Sequence, residues 1–323
     1  MIDPELAPLV EFLPAMNLAD PVAGRQAFEA ALAGLNADIP PEWGVRVEDR
    51  VVPGLDGEPE VAVRIYRPAG AGGAGAGTDA AAGALPAVLL MHGGGFVVGS
   101  IATEHLGAAM LAKDVGALVM SVEYRLAPEH PYPSALHDCY AALCFLHDEA
   151  ASLGVDPARL ALWGMSAGGG LAAGTALLAR DRGGPPLCFQ MLHVPELDDR
   201  LDTASMEVFV DSPVWNRPLA VLSWEAYLGG LSGSDDVPAY AAPARASDLS
   251  GLPPAYVSTA ENDPLRDEGV LYALALLRAG VSVELHQYAG TFHGSTVVMS
   301  AAVSKRARAE ADQALRRAFG IDS

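Results

Sequence analysis

At 323 residues, 51% of them hydrophobic and 19% charged, the chain carries enough apolar surface to bury one large core, which excludes disorder of the whole. Forty acidic side chains against twenty basic ones give a formal charge of −20 and a pI near 4.6, unsuited to phosphate backbones or anionic membranes, so nucleic acid is not an expected partner. Cys139, Cys144 and Cys188 sit in apolar settings without ligand spacing, and their odd count speaks against a disulfide framework; they read as buried thiols of a reducing compartment. The opening Met-Ile-Asp-Pro-Glu-Leu has no basic region followed by an apolar core, and the apolar runs 87–91 and 117–122 are too short to cross a bilayer. The expectation is a soluble, cytoplasmic protein with no membrane partner.

Residues 4–13 and 21–35 read as helical pieces, the second with Phe28, Leu32 and Leu35 at helical intervals. Strand signals begin at 43–51, where Val45, Val47 and the pair Val51–Val52 are interspersed with polar residues. After the turn-prone Pro53, Gly54 and Gly57 comes 61–66, alternating Val61, Val63 and Ile65 with Ala62, Arg64 and Tyr66, so an antiparallel hairpin at one sheet edge is expected. The Ala/Gly-rich stretch 69–85 reads as a surface loop or a flexible linker.

From residue 87 the pattern becomes parallel α/β. Nearly continuous apolar runs at 87–91, 117–122, 160–163, 187–192 and 255–257 suit strands covered on both faces, and 103–115, 134–153 and 171–179 are long enough for crossover helices. A helix at 264–279, a strand at 281–288 and a helix from near Ser295 to Phe319 complete the series, with Arg316 and Arg317 suiting that last helix's negative end. Between the strands near 190 and 256 lie more residues than an ordinary connection needs, which implies a helical insertion at the carboxyl edge of the sheet. That edge is where open α/β sheets bind ligands.

Residues 159–170 enter Gly164-Met165-Ser166-Ala167-Gly168 from a strand and leave into a helix. Such a turn strains the serine backbone so that its hydroxyl projects from the sheet, and the glycines remove β-carbons where strand and helix meet. His92-Gly93-Gly94-Gly95-Phe96, after an earlier strand, could present N–H groups to an oxyanion, cradle a phosphate or form a tight turn; no Gly-Lys-Ser/Thr follows, and the spacing is not that of a dinucleotide fingerprint. A serine nucleophile needs a base. His137 and His147 fall in a helical pattern and His286 in a strand, whereas His293 lies in a loop at the sheet's carboxyl edge.

The acid has several candidates. Glu261, Asp263, Asp267 and Glu268 follow the strand near 259, and Glu196, Asp198 and Asp199 form a second cluster; Asp263 before Pro264 reads equally as a helix N-cap. The order Ser166, Asp263, His293 is that of a hydrolase with this topology. Arg125 and Asp138 read as pins for the proline-rich loop 124–133. Phe96, Met165, Met206 and Trp224 are candidates for a pocket wall, or plain packing.

His92-Gly-Gly-Gly-Phe96, Tyr124-Arg-Leu-Ala-Pro-Glu-His-Pro-Tyr-Pro133, Gly164-Met-Ser-Ala-Gly-Gly169, Asp263-Pro-Leu-Arg-Asp-Glu-Gly269 and Phe292-His-Gly294 occur in the order of the hormone-sensitive-lipase-like esterases of the α/β-hydrolase superfamily. The chain resembles that family over about residues 1–320, and particularly its bacterial heroin esterase type. The resemblance implies an α/β-hydrolase fold, a mostly parallel eight-stranded sheet with helices on both faces and a helical cap. Residues 1–45 and 201–235 would form the cap, and 46–200 with 236–323 the catalytic body.

It further implies a triad of Ser166, Asp263 and His293, an oxyanion hole from the N–H groups of Gly93, Gly94 and Ala167, and pairing of two copies through the last strand and C-terminal helix. Met165 departs from the acidic residue usual before the nucleophile, and Asn262 from the larger or apolar residue usual before the acid. The expected activity is hydrolysis of short-chain esters, acetyl to butyryl, through an acyl-enzyme, with no cofactor and no metal. An amidase or lactone hydrolase using the same triad is the alternative, and a non-catalytic ligand-binding protein of the same fold a more distant one.

Overall fold

The computed structural model describes residues 1–13, 16–33, 38–69 and 83–321. Pro14, Leu35 and most of the Ala/Gly-rich stretch therefore lie outside the described residues.

Eight strands form one sheet: β1 (Arg46–Val52), β2 (Val61–Arg67), β3 (Leu85–Met91), β4 (Leu118–Glu123), β5 (Val155–Met165), β6 (Phe189–His193), β7 (Ala255–Asn262) and β8 (Val283–Phe292). Their order is β1-β2-β4-β3-β5-β6-β7-β8, with β2 antiparallel to both β1 and β4 and every other pair parallel. The helices are α1 (Pro21–Ala33), α2 (His105–Val115), α3 (Ser134–Asp148), α4 (Ala150–Leu153), α5 (Ala167–Arg182), α6 (Ala204–Val208), α7 (Arg217–Leu228), α8 (Arg266–Arg278) and α9 (Ala302–Ala318).

Alternation along β3 divides the core. Leu89 and Met91 join the side covered by α3, α5 and α8, while Val88 and Leu90 join the side covered by α2 and α9. Burial on both faces explains why β3 and β4 read as nearly continuous apolar runs. On α9, Ala307, Ala311, Ala314 and Leu315 recur at helical spacing and are all buried, while Lys305, Arg306, Arg308 and Arg317 are exposed.

Several boundaries differ from expectation. The first helical piece is a 3₁₀ turn, Ala7–Phe12, and the C-terminal helix begins at Ala302 after a separate 3₁₀ turn, Ser295–Val297. β5 starts at Val155, because Val155 pairs with Leu85 although the intervening Asp156 to Arg159 give no apolar signal. α5 starts at Ala167, so the run of three glycines is already helical.

A third cluster lies over the carboxyl ends of the strands. Leu18 from the N-terminal segment, Val97, Val98 and Ala127 from loops of the body, Met206, Trp215 and Ala220 from the insertion, and Leu265 before α8 pack together. The two segments apart in sequence thus share one roof over the edge where the loops converge.

Candidate active site

The turn at the end of β5 brings Ser166 to the corner. Its backbone sits at φ 59°, ψ −125°, a strained conformation held from several sides. Its N–H donates to His193 O at 2.8 Å, and its carbonyl accepts from Gly169 N at 2.8 Å, Gly170 N at 3.1 Å and Glu196 N at 3.0 Å. A β-carbon at Gly164 would overlap the Gly168 carbonyl, and one at Gly168 would overlap the Met91 carbonyl. These two positions need glycine because three backbones cross there.

β8 delivers His293 and the end of β7 delivers Asp263. His293 Nε2 lies 2.9 Å from Ser166 Oγ, and its Nδ1 lies 2.7 Å from Asp263 Oδ2. Asp263 is 0%, Ser166 4% and His293 5% exposed, so this line of three groups is screened from bulk water. Both readings of Asp263 meet here: Oδ2 faces the imidazole while Oδ1 accepts the Leu265 N–H at 2.9 Å, ahead of α8.

The other candidates are drawn elsewhere. Glu261 accepts the Gly290 N–H at 2.7 Å, and Asp267 accepts the Ser205 N–H at 2.8 Å. Asp198 and Asp199 pair with Arg200 and Arg245. His137 meets Glu58, His147 meets Asp148, and His286 lies between Glu284 and Glu310. Arg125 grips Asp138 with backbone and guanidinium and also reaches Glu58, which fixes the loop after β4.

The glycine loop approaches the serine closely. A β-carbon on Gly93 would lie 3.5 Å from Ser166 Cβ, and Gly94 adopts φ +125°, where a side chain would overlap Val98 O. His92 braces this loop from behind. It stacks on Tyr124 at 4.0 Å, and burial pushes its pKa down to about 4, so the neutral ring donates from Nδ1 to Gly93 O at 2.8 Å. Among the described residues the Gly94 and Ala167 amides donate to no protein group. The Gly93 amide has a neighbour in Glu104, whose carboxyl burial pushes up to about 7 and this N–H draws back down.

Of the four pocket candidates, Met165 adjoins the glycine loop, its methyl 3.8 Å from the position a Gly93 β-carbon would take. Phe96 stacks on Tyr227 at 3.9 Å and leans on Trp224 at 5.5 Å, and Met206 is enclosed in the roof cluster. Trp215, which sequence reasoning passed over, lies against His293 at 5.7 Å between ring centres, and its Cη2 stands 2.6 Å from where a Gly95 β-carbon would be. A tryptophan in an insertion placed at the carboxyl edge was the available signal.

A family model described as an alpha/beta hydrolase fold matches residues 88–297, a span that holds the glycine loop, Ser166, Asp263 and His293. The chain belongs to the hormone-sensitive-lipase-like family of α/β hydrolases. The hydrolase is 42% identical to "Carboxylesterase NlhH" of Mycobacterium tuberculosis over 98% of its own length and 96% of that protein's, and 37% identical to "Esterase LipI" of the same organism over 91% and 87%. Among solved structures it superposes on "Bacterial Heroin Esterase" with a TM-score of 0.93 at 50% identity, covering 98% of each chain. Esterase LipW from Mycobacterium marinum superposes at 0.86 with 38% identity, over 98% of this chain. The hydrolase is an enzyme acting on carboxylic esters, with a small-molecule ester as substrate. Among the described residues no helix is long and apolar enough to cross a membrane, and no cluster of three or more His, Cys, Asp or Glu is placed to hold a metal ion.

Proposed function

We propose that the enzyme hydrolyses short-chain esters, acetyl to butyryl, through an acyl-enzyme on Ser166. The observation that carries this reading is the continuous line Ser166 Oγ, His293, Asp263, with separations of 2.9 and 2.7 Å. His293 Nε2 takes the hydroxyl proton as Oγ attacks the ester carbonyl, and Asp263 holds the proton on Nδ1 so that Nε2 is free to accept. The carbonyl oxygen, now anionic, is received by the amides of Gly94 and Ala167, each worth about 3 kcal/mol in the transition state, and by that of Gly93 once it leaves the Glu104 carboxyl. His293 then protonates the departing alcohol, and water repeats the attack on the acyl group.

Enclosure supports the short acyl preference, because Ser166 is nearly covered and Trp215 is packed beside its base. Residues 1–45 and 201–235 act as the cap in this reading, supported by the cluster that Leu18 and Met206 share. β8 is an edge strand, and with α9 it offers a surface for a second copy. The three free cysteines suit the cytoplasm.

The test is labelling by a fluorophosphonate with wild type and Ser166→Ala, followed by turnover of acetyl, butyryl and palmitoyl esters. One label per chain, lost in the variant together with about 10⁶-fold in kcat, is expected. Faster cleavage of palmitoyl than of acetyl esters overturns the chain-length reading, and faster cleavage of a matching anilide moves the activity to amides.

A further inference from the structure

Two glutamates lie behind the triad, and among the described residues no arginine, lysine or histidine pairs with either. Glu196 is 0% exposed and Glu268 1%. Neither Glu196 oxygen, nor Oε2 of Glu268, has a hydrogen-bond partner among the described residues. Oε1 of Glu268 accepts the Leu197 N–H at 2.6 Å, which sets its carboxyl against the peptide joining Glu196 to Leu197. Glu196 in turn donates its own N–H to Ser166 O, so the pair is built into the nucleophile turn on one side and the head of α8 on the other.

The surroundings oppose ionisation. Asp263 faces both carboxyls, Asp198 also faces Glu268, and Ser223 and Tyr227 of α7 lie near Glu196. Arg200 is engaged by Asp198, Arg245 by Asp199, and His293 by Asp263. Burial, reinforced by these anions, pushes Glu196 up to about 8 and Glu268 well above the usual carboxylate range. Adjacent enclosed carboxylates without a cation keep protons, since the charged form cannot be solvated.

The nearest hydroxyl gives no relief. Ser223, beside the Glu196 carboxyl, donates its only proton to Gly95 O at 3.0 Å, so that proton is not available to a Glu196 carboxylate. Protonated, Glu196 adds no second negative charge beside Asp263.

We propose that Glu196 and Glu268 are positioning residues that stay protonated at neutral pH, and that their ionisation, rather than that of a group touching substrate, sets the alkaline limit of the enzyme. Once charged, the pair is relieved only if segment 195–199 parts from Ser166 and from α8. The proposal rests on the reading of Ser166 as nucleophile.

The experiment compares wild type, Glu196→Gln and Glu268→Gln in kcat/KM and in unfolding free energy against pH. Wild type is expected to lose about tenfold in kcat/KM per pH unit above about pH 8, and Glu196→Gln less than about twofold over the same range. A folded pKa raised above the unfolded value means that the native state holds the extra proton between about pH 4.5 and 8. Wild-type stability therefore falls relative to Glu196→Gln as pH rises through that window. Superimposed activity profiles with parallel stability curves overturn the proposal. If the glutamine variants fail to fold, infrared pH-difference spectra of wild type carrying labelled glutamate decide: a protonated carboxyl band at pH 7 that disappears in alkali is expected, and its absence overturns the idea. Stability and infrared readouts need no turnover, so failure of the serine reading shows separately, as activity surviving Ser166→Ala.

Discussion

Asn262 Nδ2 donates to the Thr291 carbonyl at 3.0 Å, which ties the strand end bearing Asp263 to the strand end bearing His293. The bond spans the register shift between Ala260 and Asn262, where regular β7–β8 pairing is interrupted. Removing it leaves a carbonyl in a half-buried place without that partner and loosens the acid relative to the base. Asn262→Ala is expected to lower kcat about tenfold with little change in KM, and to cost about 1 kcal/mol of stability. Steady-state kinetics and denaturant titration check both; an unchanged kcat would leave Asn262 a packing residue only.

Which parts of this were readable beforehand follows from how local the cause is. Ser166 and His293 stand out in the sequence by local chemistry, glycines around a strand-to-helix turn and a histidine in a loop at the sheet's carboxyl edge, whereas Asp263 is one of several acids there, singled out only by chain order and by the family resemblance. They come within hydrogen-bond distance of one another. The link from Asn262 to Thr291 was not readable, since it depends on an irregularity in pairing between strands, and neither was the start of β5, since Val155 is extended by Leu85 rather than by its neighbours. Glu196 was visible only as one of several acids. Its distinction is the lack of an arginine, while Asp198 and Asp199 each have one, and that depends on where Arg200 and Arg245 fall in space.

Gly95 offers a sharper steric test. It adopts φ +57°, and a β-carbon there would lie 2.6 Å from Trp215 Cη2 and 3.1 Å from Ser223 Oγ. Gly95→Ala is therefore expected to cost about 2–4 kcal/mol, combining backbone strain with overpacking, and to lower activity through the displaced glycine loop. Gly230→Ala is the control, because a β-carbon at Gly230 meets nothing within 4 Å. Equal melting temperatures for the two variants would refute the steric account.

Arg25 attaches α1 to the loops of the body. Its guanidinium donates to Val97 O at 2.8 Å, to Ala127 O at 2.9 Å and to both oxygens of Glu129 at 2.9 and 2.7 Å. That hydrogen bonding from Arg25, with help from a backbone amide, pulls the Glu129 pKa down to about 2. A depressed folded value contributes stability above the unfolded pKa near 4.5 and loses it as pH falls toward 2. Arg25→Ala should then destabilise most above about pH 5, with the gap to wild type narrowing on acidification. The effect is small because Glu129 is largely exposed. A gap constant from pH 5 to 2.5 would show that Arg25 acts only through the two carbonyls.

Trp215 is held in place by an unusual backbone. Its N–H donates to Pro213 O at 2.7 Å around Val214, which has φ +67°, making a γ-turn with a β-branched residue at its centre, and Ser212 Oγ donates to Trp215 O at 2.6 Å. Strain of this kind persists where the surroundings over-determine it, and here it presses the indole between His293 and Gly95. Trp215→Ala removes the indole that lies against the base and is expected to cost about 3–5 kcal/mol, while raising the turnover of bulkier esters relative to acetyl esters. Trp215→Phe retains an aromatic ring but shortens it, so it should show the same change in preference to a smaller degree with less loss of stability. Chain-length and alcohol-size series measured on both variants, normalised to acetyl ester turnover, test this. Preference unchanged in Trp215→Ala, in protein shown to be folded, would mean that the indole supports the loop without shaping the space that the substrate enters.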